Sequence, residues 1–263
     1  MDLGLKSRIV VVTGGTSGVG LAAVRLLLGE GADVALCARD LDRLARTQET
    51  LAAEFGVRHL LVRKCDIVDR DDVARFAEAV ADWRGRCDAL INNAGGGRFS
   101  TFADTPDDVW RQELELKFFG QIFPIRAFKP LLEKSDVAAI LTVSSLLAYQ
   151  PEPHMVCTSA ARAGVQNLLK SLADEFAPNI RVNSVVFGLI DSSQWQRRFE
   201  ARPDKSQTRE AWFTALAKAR HIPLERLGTP EEAARAVVFL ASPAASYVTG
   251  AHLEISGGVS RFI

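Results

Sequence analysis

The stretch Thr13-Gly14-Gly15-Thr16-Ser17-Gly18-Val19-Gly20 lies between a β-branched apolar run, Arg8–Thr13, and a segment of helical spacing, Val19–Leu28. The chemistry such a turn can do is phosphate binding. Gly14 lets the chain turn sharply, Gly18 removes a side chain where backbone must approach a pyrophosphate, and Gly20 lets the helix pack close to a sheet. Thr16, Ser17 and Val19 complete the turn. The helix start behind them offers free N–H groups and a positive dipole end. With a strand before it and a helix after it, the G-x-x-x-G-x-G spacing reads as a dinucleotide-binding turn.

The end of the next strand-like run sets the kind of dinucleotide. A nicotinamide dinucleotide without a 2′-phosphate is usually held there by an acid that bonds the ribose hydroxyls. Here the text is Cys37-Ala38-Arg39-Asp40, with Ala38 at the acid position and Arg39 next. A guanidinium suits a phosphate dianion by charge and by forked geometry. NADP(H) is therefore favoured over NAD(H). The competing reading is that Arg39 only pairs with Asp40 or Asp42.

These residues need a scaffold of alternating elements, and the chain supplies one. Strand-like runs fall at Arg8–Thr13, Asp33–Ala38, Arg58–Cys65, Asp88–Asn92, Val137–Ser144, Ile180–Val186 and Ala251–Ile255. Helical segments lie between them at Val19–Leu28, Leu41–Phe55, Asp71–Trp83, Pro106–Glu133, Thr158–Phe176 and Glu231–Ala241. In the second helix Leu41, Leu44, Ala45, Gln48, Leu51 and Ala52 share one face. Alternation of short apolar strands with helices predicts an α/β fold: a doubly wound Rossmann domain with a seven-stranded parallel sheet and helices on both faces. No Pro/Ser/Gly-rich linker divides residues 1–263, so one domain is expected. The polar segment Asp191–Arg220 breaks the rhythm and reads as a substrate lid.

Composition narrows the class of function. Lys plus Arg and Asp plus Glu are 32 each. This balance argues against a protein that coats nucleic acid or an anionic membrane. Apolar residues make up 48% of the chain, enough to exclude disorder. No apolar run approaches the roughly 20 residues of a membrane helix, and no basic-then-apolar leader precedes the first strand. Cys37, Cys65, Cys87 and Cys157 have no metal-ligand spacing. They read as free thiols of a reducing compartment, so a cytoplasmic protein without a metal is expected.

Several motifs together resemble the short-chain dehydrogenase/reductase family over nearly the whole chain. Thr13–Gly20 is similar to its cofactor turn. Asp66 stands where family members use an acid near the adenine. Asn92-Asn93-Ala94-Gly95 is similar to the motif that ends the fourth strand. Ser144-Ser145 ends the fifth strand where the family keeps its catalytic serine, and Ile255-Ser256-Gly257-Gly258 resembles its C-terminal strand. The resemblance implies an oxidoreductase acting on a carbonyl or hydroxyl of a small molecule. It also implies cofactor contacts at Asp66, Asn93, Ala94, Gly95 and Gly188.

The catalytic set departs from that pattern. The family places a Tyr about a dozen residues after the Ser, and a Lys four residues further on. Counted from Ser145, those positions hold Thr158 and Arg162. An aliphatic hydroxyl is a far weaker acid than a phenol of pKa about 10, so Thr158 cannot replace the Tyr as donor. Arg162 keeps the charge and can bond ribose hydroxyls, but it does not give up its proton. The family's Asn, seven residues past a Trp, becomes Lys117 counted from Trp110, and its Pro-Gly after the sixth strand becomes Phe187-Gly188.

Three residues are candidates for the missing acid. Tyr149 lies four residues past Ser145, and His154 lies one helical turn before Thr158. The alternative for both is that they merely line the cleft. Lys117, if it points inward, shares the site with Arg162, and a second cation lowers an amine pKa. Otherwise its amine snorkels to solvent or pairs with Glu113 or Glu115. The catalytic expectation is Ser145, Arg162, Lys117 and Tyr149. The alternative function is a non-catalytic dinucleotide-binding sensor or partner protein.

The lid carries Arg197, Arg198, Arg202, Lys205, Arg209, Lys218 and Arg220 against Asp191, Glu200, Asp204 and Glu210. This excess hints at an anionic or carrier-bound substrate. Trp195 and Trp212 are expected to wall the cleft. Phe118, Phe119, Ile122 and Phe123, with Val165, Leu168, Leu169 and Leu172, exceed one sheet-facing stripe. They predict a homo-tetramer or homo-dimer paired through the two long helices.

Overall fold

The computed structural model describes residues 1–261. Seven strands form one parallel sheet: β1 Ile9–Thr13, β2 Asp33–Ala38, β3 Leu60–Lys64, β4 Ala89–Asn92, β5 Ala139–Ser145, β6 Arg181–Phe187 and β7 His252–Ile255. Their order across the sheet is β3-β2-β1-β4-β5-β6-β7. The order reverses between β1 and β4, which opens a crevice at the carboxyl ends of those strands. Eight α-helices accompany them among the described residues: α1 Gly18–Gly29, α2 Leu41–Phe55, α3 Arg70–Arg84, α4 Asp107–Leu132, α5 Val156–Glu175, α6 Ser193–Ala201, α7 Arg209–Ala219 and α8 Pro230–Ala241.

Strand residues alternate between two cores, because successive side chains point to opposite faces. Val10, Val12, Val34 and Leu36 pack with Val24 and Leu27 of α1 and Val237 of α8. Ile9, Val11, Ala35 and Cys37 pack instead with Phe76 of α3, Phe128 of α4 and Val165 of α5. Both faces of the central strands are buried, so their sequences read as unbroken apolar runs.

Four details differ from the sequence expectations. The third strand starts at Leu60, because Val57–His59 forms a 3₁₀ turn behind Gly56. In α2 the buried positions are Leu44, Thr47 and Leu51, while Leu41 is 61% exposed. The segment Asp191–Arg220, expected as a lid, is largely helical: α6 and α7 form a small core in which Phe213 and Ala217 pack with Phe199 and Trp212. The apolar surplus of the long helices is largely used within the chain. Val165 and Leu169 are buried, and Phe118, Phe123 and Leu172 pack on the same core. Apolar exposure on α4 is left at Leu114 and Phe119, 39% and 43% exposed.

The four cysteines are free and buried. Among the described residues no helix is long and apolar enough to cross a membrane.

Candidate active site

The ends of β1 and β4 are tied together before any side chain faces the crevice. Thr13 Oγ1 accepts from the backbone N–H groups of Asn93 and Ala94, both at 3.0 Å. Asn93 Nδ2 donates to the carbonyls of Thr13 and Gly14. This clamp fixes the glycine turn against the fourth strand. A Cβ on Gly20 would stand 2.3 Å from the Gly14 carbonyl oxygen and 2.4 Å from Asn93 Nδ2. Close approach within the turn, and not only helix-to-sheet packing, therefore demands that glycine. Gly18 has φ +53°, and open space lies where its Cβ would be.

A crevice of about 690 Å³ follows, lined by Gly14, Thr16, Ser17, Val19, Asn93, Ala94 and Gly95 on one side and by Arg39 and Asp66 at its far end. Arg39 is 73% exposed, and its Nη1 lies 3.8 Å from Asp66 Oδ2. Asp40 instead caps α2 by accepting from Arg43 N. The expected competitors Asp40 and Asp42 thus leave the guanidinium directed to the crevice. An open cradle at Gly18 and a solvent-facing cation at the adenosine end fit a phosphorylated dinucleotide.

At the other end lies an inner cavity of about 270 Å³. Lys117, Ser145, Arg162 and Gly188 all line it, beside Asn93 and Gly95. Strand pairing places Ser145 opposite Phe187, so Gly188 stands directly after the serine's neighbour. Ser145 Oγ accepts from Leu147 N at 3.3 Å. Lys117 comes from α4 and is buried. Its Nζ lies 2.8 Å from Glu113 Oε1, one helical turn away. That contact lacks hydrogen-bond alignment, so the amine keeps unused donors. The same Glu113 Oε1 accepts from Thr158 Oγ1 at 2.6 Å.

Lys117 and Arg162 thus line one cavity, with the buried Glu113 carboxylate against Lys117. Burial, then the Arg162 charge, lowers the Lys117 pKa from its ordinary value, with Glu113 opposing. Burial pushes Arg162 down to about 10, again with Glu113 opposing. The Arg162 Nε is buried without a partner. Both sequence readings of Lys117 hold at once: it points inward, and it pairs with Glu113.

Glu113 is the residue that sequence reasoning undervalued. Its spacing of four from Lys117 is visible in the text. Its contact with Thr158, 45 positions away, needs α4 and α5 packed side by side.

Tyr149 is a correction. It is 37% exposed, its ring lies tilted against His252 with centroids 4.8 Å apart, and it is not among the residues lining the cleft. It follows the 3₁₀ turn Leu146–Ala148 after β5. His154 does line the cleft, with Nε2 2.8 Å from Glu152 Oε2.

An outer cleft of about 650 Å³ adjoins Ser145, Thr158 and Arg162, and Trp195 and Arg198 of α6 and Arg220 form its lid side. Trp212 departs from expectation. It packs edge-on against Phe213 at 5.1 Å inside the lid and does not line the cleft.

A family model described as Enoyl-(Acyl carrier protein) reductase matches residues 14–260, and a relative named dehydrogenase/reductase SDR family member 4, from Sus scrofa, is 31% identical across 97% of this chain and 88% of its own. The chain belongs to the short-chain dehydrogenase/reductase family. A 3-oxoacyl-[acyl-carrier-protein] reductase of Thermotoga maritima is 32% identical to this short-chain dehydrogenase/reductase, over 97% of the chain and 98% of the relative. An apo short chain oxidoreductase of Pseudomonas aeruginosa PAO1, described as containing an atypical catalytic center, superposes with TM-score 0.96 at 53% identity, covering 100% of both chains. The NADPH-bound structure described in the same terms superposes with TM-score 0.93 at 52% identity, covering 98% of this chain and 100% of that one. Membership makes the protein an NAD(P)-dependent oxidoreductase.

Proposed function

We propose that this short-chain oxidoreductase interconverts a carbonyl and a hydroxyl on a small molecule with NADP(H), through a rearranged site of Lys117, Ser145 and Arg162. One observation carries the reading. Lys117, Ser145 and Arg162 line a single cavity of about 270 Å³ at the end of the dinucleotide crevice.

When bound, the dinucleotide supplies the hydride in reduction or receives it in oxidation. Ser145 donates a hydrogen bond to the substrate oxygen and holds it toward Lys117. The Lys117 ammonium gives its proton to that oxygen as charge develops on it, and takes one back in the oxidation direction. Its lowered pKa makes it a better acid than a surface lysine. Arg162 keeps its proton, offers its unpartnered Nε to ribose hydroxyls, and adds positive charge beside the developing oxyanion. Thr158 does not replace the family's Tyr, since its hydroxyl is committed to Glu113. Glu113 holds Lys117 and Thr158 in place.

The NADPH-bound relative supports the phosphorylated cofactor, and Arg39 is the residue that would meet its 2′-phosphate. The relatives' small-molecule chemistry supports the substrate size, and the basic lid favours an anionic substrate. A homo-tetramer or homo-dimer in the cytoplasm completes the proposal.

The test is Lys117→Met with a panel of ketones and aldehydes. The variant should bind NADPH with unchanged affinity by fluorescence titration and lose carbonyl reduction about 10²–10⁴-fold. Full turnover in Lys117→Met would remove the lysine from the reaction. NADPH binding by the wild type without turnover on any carbonyl would leave a dinucleotide-binding protein.

A further inference from the structure

The basic lid residues divide sharply by partner. Arg209 pairs with Asp191 and Lys218 with Glu225. Arg202 lies over the Phe199 ring and bonds backbone carbonyls. Lys205 bonds the Glu200 carbonyl. Arg197, Arg198 and Arg220 remain; Arg197 does not line the outer cleft, whereas Arg198 and Arg220 both line it beside Ser145.

Glu152 is the carboxylate on that cleft among the described residues. Both its oxygens are taken: Oε1 accepts from Arg220 Nη1 at 3.0 Å, and Oε2 lies 2.8 Å from His154 Nε2. Arg198 is therefore left without a carboxylate. Its guanidinium lies 4.4 Å from the Trp195 ring centroid and 4.7 Å from that of Phe99. Ring contacts of this kind hold the cation in place through its faces, while its N–H groups lie in the guanidinium plane and suit a forked acceptor. Burial, then the charge of Arg220, lowers its pKa, with Glu152 opposing. Leu146, Leu147, Met155 and Val259 give the same cleft apolar surface, alongside polar groups such as Gln150, His154 and Arg261.

On the reading of the site as a carbonyl reductase, we propose that Arg198 anchors a terminal anionic group of the substrate, a carboxylate or a phosphate. The substrate is then an amphipathic carbonyl compound. Its reacting oxygen sits at Ser145, its carbon chain lies against the apolar side chains of the cleft, and its anionic end reaches the Arg198 guanidinium.

The experiment uses the full chain with NADPH and matched substrates: medium-chain keto acids, their methyl esters, and keto alkyl phosphates. The wild type should show a KM at least tenfold lower for an anionic substrate than for the ester, and the better of the carboxylate and phosphate arms identifies the group. Arg198→Gln should raise KM for that substrate about ten- to a hundredfold, the range of one charge-assisted contact. It should keep kcat within about threefold and leave the ester unchanged, and Arg198→Lys should recover part of the loss. Equal KM for acid, phosphate and ester in the wild type would overturn the anchor while carbonyl reduction stands. A rise of KM for acid and ester alike in Arg198→Gln would overturn it too. If no carbonyl turns over, the anchor is still read by tryptophan fluorescence, titrating the NADPH complex with hexanoate, hexyl phosphate and hexanol. Saturable quenching by an anion, weakened in Arg198→Gln, supports the anchor even as the reductase reading fails. Identical responses of wild type and variant overturn it.

Discussion

In the proposed mechanism the chemistry at Lys117 turns on one proton. Reduction would need the ammonium form, and burial with the Arg162 charge lowers the amine pKa from its ordinary 10.5. The reduction rate should therefore fall as pH rises through a value below 10.5. Glu113 opposes that lowering, so Glu113→Gln should move the break to still lower pH, whereas a purely structural role would leave its position unchanged. A pH profile of kcat for wild type and variant checks both. Arg39 governs a separate property. Arg39→Ala should weaken NADPH binding by about 1.5–3 kcal/mol, the worth of a charge-assisted contact, and leave NADH binding nearly untouched. Equal losses for both cofactors would take Arg39 out of the 2′-phosphate site.

Among the elements, α8 shows how a local signal becomes measurable stability. Thr229 Oγ1 accepts from Glu232 N, and the Glu232 carboxylate returns to Thr229 N, closing a capping box behind Pro230. Arg226 also bonds Glu232. This Arg226 contact, then the Thr229 N–H, pulls the Glu232 carboxyl down to about 2. A carboxylate with a depressed pKa stabilises the fold above its ordinary value and loses that effect as pH falls toward the folded value. The contribution of this helix start should therefore fade between the ordinary 4.5 and about 2. Thr229→Ala should cost about 0.5–2 kcal/mol, which for a chain of this size lowers Tm by about 2–4 °C per kcal/mol. Differential scanning calorimetry at neutral pH measures it, and an unchanged Tm would mean that the cap adds nothing net.

For the molecule as a whole, the sheet order dictates where chemistry can happen. Reversal between β1 and β4 places the dinucleotide crevice at the sheet's carboxyl edge. The cofactor turn after β1, the Asn93 clamp after β4, Ser145 at the end of β5 and Gly188 after β6 all fall on that edge. α4 then serves two surfaces: its inner side carries Glu113 and Lys117, while Leu114 and Phe119 stay exposed. We expect those two residues to be covered by a second copy of the chain. Sedimentation at micromolar concentration should show a dimer or tetramer, and Phe119→Asp should shift it toward monomer. A wild-type monomer under the same conditions would count against pairing through α4.

The alternation of apolar runs with helical spacing determined the seven-stranded sheet, because a strand buried on both faces must be apolar at every position. The glycine turn was equally legible, since a turn and its following helix are local in the chain. Thr158 and Arg162 at the counted positions after Ser145 could be read from the sequence too. Only the tertiary structure decided which groups gather around them. Glu113 joins Thr158 because α4 and α5 pack side by side, and no spacing in the sequence encodes that contact. Tyr149, near Ser145 in sequence, packs against His252 and does not line the cleft. The lid shows the same division. Its positive charge could be counted from the sequence, but carboxylates pair with Arg209, Lys218 and Arg220, backbone carbonyls hold Arg202 and Lys205, and Arg198 is left on the cleft. Charge belongs to the residue, whereas its availability depends on what the fold sets opposite it.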